Sequence, residues 1–144
     1  MGTRDSLIKL NRFRVDEAKR KLAGLETMKG DLERKARELE ATVASEQRRA
    51  IEDEIGRFAY PGFAKAVTQR RDNLTKSIEE ISRQIAAAQD EVNDAYRELK
   101  KFEVAEENRQ REQAERRNRR AQAEADDITL TRFASAQAAG RTVG

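Results

Sequence analysis

The chain has 144 residues, of which 40% are charged and 5% aromatic, and its mean hydropathy is -0.96. This composition supplies too little apolar mass for a compact globular core and is typical of long helices and coiled coils. The 30 basic and 27 acidic side chains nearly balance, so the net charge of +3 implies no strong field for nucleic acid or a membrane surface.

Residues 4–56 are predicted to form the first helix. The positions that start at Ile8 and alternate steps of three and four residues are apolar at ten of 13 places, as far as Ala50. Such a stripe, sustained over six heptads, is the contact seam of a coiled coil.

The stretch "GRFAYPGFAK" interrupts this pattern. It contains the only proline, Pro61, together with Gly56 and Gly62. Proline lacks an N–H and disfavours helical geometry at the preceding residue, and glycine can end a helix or adopt a positive φ. We therefore predict a turn at residues 57–63, with Gly56 ending the first helix.

Residues 64–127 are predicted to form the second helix, whose seam runs in a new frame from Val67 to Phe102 and is apolar at ten of 11 positions. Two seams of nearly equal length on either side of one turn favour an all-α fold, a long antiparallel two-helix coiled-coil hairpin. The alternative is one continuous bent helix in a parallel dimer. The change of frame and Pro61 favour the monomeric hairpin.

Beyond Phe102 the seam positions become polar, and residues 107–127 are predicted to be a solvated, charged helical extension. It holds possible Glu112–Arg116 and Glu115–Arg119 pairs at i,i+4 spacing. Residues 128–144 have the composition of a disordered tail.

Three groups of residues are candidate partner-binding sites. Aromatic side chains at the turn either cap the open end of the hairpin core or form a docking surface, and these are Phe58, Tyr60 and Phe63. Apolar residues near the N-terminus lie opposite the polar stretch 105–113, so they either fray or bind a partner protein. They include Leu7, Ile8 and Phe13.

The third group is an arginine cluster in the extension, which nets about +4 over residues 109–120. It includes Arg109, Arg116 and Arg120. A solvated face is the plainest interpretation, an acidic protein partner is the next, and nucleic acid is the last because no aromatic is interleaved to stack on bases.

The sequence contains no cysteine and no histidine, and it has no glycine-rich phosphate loop. Its carboxylates are predicted to face water, where their pKa values have little reason to shift. We therefore predict a protein that is not an enzyme, with no catalytic residue, no cofactor and no metal. No apolar run approaches the roughly 20 residues that cross a bilayer, which favours the cytoplasm.

The stretches "SLIKLNRFRVDEAKRKLAGLE" and "FAKAVTQRRDNLTKSIEEISRQI", placed on either side of a mid-chain break, resemble the FliJ-type flagellar export proteins. The resemblance covers about residues 5–130. It implies an antiparallel coiled-coil hairpin of the flagellar type III export apparatus, similar to the central stalk of rotary ATPases.

The resemblance also implies partners, namely the export ATPase hexamer, the membrane protein of the export gate and the export chaperones. The free helix ends would then enter the ATPase ring, and the turn-side half would face the gate. The chain would lie at the cytoplasmic face of the inner membrane and associate with it only through partners. A generic coiled-coil scaffold or holdase chaperone is the alternative, and a nucleic-acid-binding coiled coil is a weaker one.

Overall fold

Two long α-helices make up the fold in the computed structural model, which describes residues 2–143 and the side chains of residues 2–140. Helix α1 spans Thr3–Glu52 and helix α2 spans Glu54–Val143, and the described chain contains no strand. The two helices pack against each other as a hairpin, which confirms the predicted all-α fold class. By its contacts the chain divides into two units, one of residues 9–99 and one of residues 1–8 and 100–144.

Polar contacts across the two helices fix the direction of pairing in the unit of residues 9–99. Lys21 Nζ lies 3.1 Å from a carboxylate oxygen of Glu91, and the Arg71 guanidinium donates two hydrogen bonds of 2.6 Å to Glu40. Nearer the connection, Gln47 donates to the hydroxyl of Tyr60 at 3.3 Å. As the position on α1 rises, its partner on α2 falls, so the helices are antiparallel.

The predicted seams form the core. All thirteen seam positions of α1 are buried or half-buried, and ten of the eleven seam positions of α2 are as well. The buried apolar side chains of this core are small or β-branched, which lets the two helices approach closely. They are Val15, Val43, Val67, Ile81, Ala88 and Val92.

Removing one methyl group from this core should measurably lower the free energy of unfolding. Ile81 is 5% exposed, and Ile81→Val is expected to lower the free energy of unfolding by about 0.5–1.5 kcal/mol, as the loss of one buried methyl group does in other cores. The same change at Ile51, which is 79% exposed, should stay within about 0.5 kcal/mol of the wild type. Chemical denaturation followed by circular dichroism measures both, and equal losses at the two sites would contradict the seam.

Arg71 is the one seam position of α2 that is exposed, and its contacts explain why the seam tolerates a charge there. Its guanidinium turns outward and forms a two-bond fork with Glu40 on α1. The hydrogen bonds from Arg71 lower the pKa of Glu40 below its usual value. The pair bridges the two helices at the edge of the core and helps to fix which residues of α1 and α2 lie opposite each other.

The connection between the helices lies at Asp53, before the predicted turn. The Asp53 N–H donates to the carbonyl of Arg49 at 2.9 Å, and the Asp53 carboxylate accepts the N–H of Ile55 at 3.2 Å. Asp53 is thus the last hydrogen-bonded donor of α1 and the N-cap of α2. Residues 57–63 are helical, so the predicted position of the turn is wrong, as is the predicted end of the first helix at residue 56.

Gly56 and Pro61, which suggested the turn, have different roles in the structure. No described glycine has a positive φ. A Cβ on Gly56 would lie 2.6 Å from the Arg49 carbonyl oxygen, so the glycine is required by the close approach of α2 to the end of α1. Pro61 lies inside α2, where it leaves one helical hydrogen bond unmade.

The second unit contains the first turns of α1 and the part of α2 that follows Leu99. Here α2 continues as helix to Val143, through the segment that we predicted to be disordered. Four alanines between positions 134 and 139 and the absence of proline favour helix there. Gly144, the last residue of the predicted tail, lies outside the described residues.

Candidate functional site

The predicted aromatic cluster near the connection is divided by the structure. The ring of Phe58 is 91% exposed. Tyr60 and Phe63 are half-buried, with ring centroids 6.2 Å apart and planes inclined at 45°. Phe58 therefore remains a candidate docking residue, whereas Tyr60 and Phe63 pack against each other along α2.

An open groove of about 370 Å³ lies beside Phe63, between the two helices of the hairpin. Its apolar lining includes Leu39, Phe63 and Val67, and its charged lining consists of Lys35, Arg70 and Glu38. A groove of this size has room for an apolar side chain of a partner.

Two aliphatic residues that the sequence patterns did not indicate share the exposed end with Phe58. Ile51, at the end of α1, is 79% exposed, and Ile55, in the first turn of α2, is 74% exposed. Large apolar side chains exposed together mark interaction surfaces. The available signal was that Ile51 lies immediately after Ala50, outside the seam frame. We call Ile51, Ile55 and Phe58 the tip patch.

The apolar residues near the N-terminus are also placed differently from one another. Leu7 and Ile8 are half-buried, and Leu7 lines a groove of about 430 Å³ with Phe102 and Ala105. Phe13 is 57% exposed and Leu10 is 42% exposed. Leu10 and Phe13 are three residues apart and therefore lie on the same side of α1.

Glu106 and Arg109 continue the seam of α2, where we expected side chains that could not be buried. The side chain of Glu106 is only 12% exposed, and Arg109 donates two hydrogen bonds to it, at 2.7 and 3.0 Å. These hydrogen bonds lower the pKa of Glu106 below its usual value. The pairing of the two charges explains how a seam position can carry them.

The arginine cluster does not act as one group. Arg109 is half-buried and bound to Glu106, whereas Arg116 and Arg120 are exposed. Arg116, Arg117 and Arg120 line an open, positively charged surface groove with Gln113. Of the predicted site residues in this cluster, Arg116 and Arg120 remain free to bind an anionic group.

Two further properties bear on the class of protein. Within residues 2–143, no group of three or more carboxylate, imidazole or thiol side chains is arranged to hold a metal ion. No helix in that range contains an apolar stretch that could span a bilayer.

The fold and its surface groups define an antiparallel α-helical coiled-coil protein whose candidate sites are apolar and charged surface patches. The family model for the flagellar FliJ protein matches residues 5–138 of the chain. The chain belongs to that family, which confirms the resemblance seen in the sequence and gives the protein a role related to flagellar export. The family is a non-enzymatic export component. Searches of curated proteins and of solved structures gave no match to the chain.

Proposed function

We propose that this protein is a coiled-coil stalk and chaperone-escort adaptor of the flagellar type III secretion system, and that it engages the export ATPase ring and the export gate. The observation that supports the proposal most directly is an apolar face on α1 formed by Leu10 and Phe13, 42% and 57% exposed, within a family of flagellar export proteins. Exposed apolar side chains of this size serve protein contacts more often than solvation.

The mismatch between a single hairpin and a six-fold ring is the proposed basis of coupling to a hexameric ATPase. A single hairpin inside a six-fold ring cannot make the same contacts with all six subunits. The subunits that it contacts best are biased toward the conformation that makes those contacts. The hairpin then changes the balance of open and closed subunits without chemistry of its own, which is coupling through differential binding.

The tip patch is the candidate contact for the export gate, since its three residues are the most exposed large apolar residues in the unit of residues 9–99. The groove beside Phe63 is a candidate contact for export chaperones. Through these partners the protein would lie at the cytoplasmic face of the inner membrane.

Replacing Phe13 with aspartate tests the ATPase contact. Phe13→Asp places a charge on the apolar face, and truncation of interface anchors commonly costs tenfold or more in affinity. We expect the concentration of protein that gives half-maximal stimulation of the export ATPase to rise at least about tenfold. The measurement is the rate of ATP hydrolysis against the concentration of the added chain.

Met28→Asp is the matched control, because Met28 lies on the same helix and is 54% exposed. Circular dichroism should show that both variants keep their helicity. If Phe13→Asp stimulates the ATPase as well as Met28→Asp does, the face at Phe13 has no part in the contact. Suppression of aggregation of unrelated proteins, without any ATPase stimulation, would instead support a holdase.

A further inference from the structure

The last part of α2 presents a long helical surface to solvent. Every residue from 115 to 140 is exposed. Isolated helices are only marginally stable in water, and most helices in proteins are stabilised by packing one face against another element. A partner that covers one face of this extension would supply that stabilisation.

One face of the extension carries charge in a definite order. Arg117, Arg120, Glu124 and Asp127 follow one another at spacings of three, four and three residues, so they form one stripe along the helix. The stripe is basic in its first half and acidic in its second half. It therefore has the two complementary surfaces that a self-pairing interface requires.

Within one chain, these four charged side chains are not paired with one another. Among residues 2–140, none of the four forms an ion pair. The internal pair that spacing allows, Arg120 with Glu124, has the basic residue first, which is the weaker order on a helix. The Glu112–Arg116 and Glu115–Arg119 pairs that the sequence suggested are also not formed. The stripe is thus available to an external partner.

We propose that two copies of the chain pair through this stripe, with their α2 extensions antiparallel and centred on Gln122. In that arrangement Arg117 lies opposite Asp127 of the partner subunit, and Arg120 lies opposite Glu124 of the partner subunit. Two-fold symmetry repeats both contacts, as in any isologous dimer, so each dimer gains four ion pairs. A parallel pair would instead place arginine against arginine.

Charge reversal with rescue tests the proposal on the full chain. Arg117→Glu with Arg120→Glu makes the stripe wholly acidic, and Glu124→Arg with Asp127→Arg makes it wholly basic. Each double variant alone is expected to dimerise at least about tenfold more weakly than the wild type, because like charges then oppose each other. An equimolar mixture of the two should form a heterodimer, since all four pairs are restored.

Sedimentation equilibrium over a concentration series up to about 1 mM is the measurement, because exposed ion pairs give weak association. Raising the salt from about 0.1 M to 1 M shortens the screening length from about 10 Å to 3 Å and should weaken the wild-type dimer. The control is Arg111→Glu with Arg119→Glu, which changes the charge equally on other faces and should dimerise as the wild type does. A wild type that stays monomeric, or a mixture that shows no heterodimer, would overturn the proposal.

Discussion

Replacing Pro61 with alanine is expected to stabilise the hairpin by about 3 kcal/mol, the usual penalty for proline in the interior of a helix. Pro61 is the eighth residue of α2, beyond the first turn, where a missing N–H would cost nothing. Alanine restores the hydrogen bond to the carbonyl of Arg57 and removes the steric conflict of the ring. Thermal unfolding should show a midpoint higher by roughly 6–12 °C for a chain of this length.

Whether Pro61→Ala raises or lowers the stability distinguishes a helix at residues 57–63 from a turn there. If residues 57–63 formed a turn, Pro61 would fix the backbone of that turn. Pro61→Ala would then destabilise the protein, because it raises the conformational entropy of the unfolded chain. Gly62→Ala is the neighbouring control, because a Cβ at Gly62 meets no atom within 4 Å. It should contribute only about 1 kcal/mol, through helix propensity. A loss of stability in Pro61→Ala would instead indicate that the connection between the helices lies at the proline.

The seams could be predicted because their signal is long and repeated. Six heptads before the break and five after it fix which face of each helix is buried, and a single polar residue does not shift the frame. Arg71 shows this tolerance, since it keeps its seam position while its guanidinium turns out to Glu40. Periodicity over such a length outweighs local exceptions.

The connection could not be placed from the sequence because it depends on a contact between distant atoms. Proline and glycine in "YPG" are the usual turn signal. The helix nevertheless continues through them, and Asp53, which looks ordinary in the sequence, caps α2. What decides the position is that Gly56 alone lets the backbone of α2 pass close to Arg49, and the sequence does not show which glycine has that neighbour.

The candidate sites show the same contrast between what a repeated pattern predicts and what depends on contacts in the folded chain. Phe58 and Phe13 are exposed in the structure, and neither belongs to a seam frame, so both stay candidate docking residues. Tyr60 and Phe63 were grouped with Phe58 by proximity in the sequence, but a helix turns successive residues to different sides. Ile51 and Ile55 were missed because they flank the true connection, and that connection had been placed elsewhere.

Replacing Gly56 with alanine is expected to have the opposite effect from Pro61→Ala. The added Cβ would lie 2.6 Å from the carbonyl oxygen of Arg49 and 2.8 Å from its carbonyl carbon. Both are backbone atoms, and the same carbonyl accepts the N–H of Asp53, so the neighbour cannot withdraw without weakening the end of α1. Overpacking costs about 1–3 kcal/mol, and contact with backbone atoms at such short distances places this case in the upper part of that range, above the gain of about 1 kcal/mol from helix propensity.

Gly62→Ala again supplies the comparison, because the two substitutions make the same change on the same helix and differ only in what the new methyl group meets. We expect the free energy of unfolding to fall in Gly56→Ala and to rise in Gly62→Ala, a difference of roughly 1–3 kcal/mol between the variants. Urea denaturation of both chains measures it. Equal gains in stability would show that α2 does not approach Arg49. The connection would then be looser, and Ile51, Ile55 and Phe58 would not be held together as a tip patch.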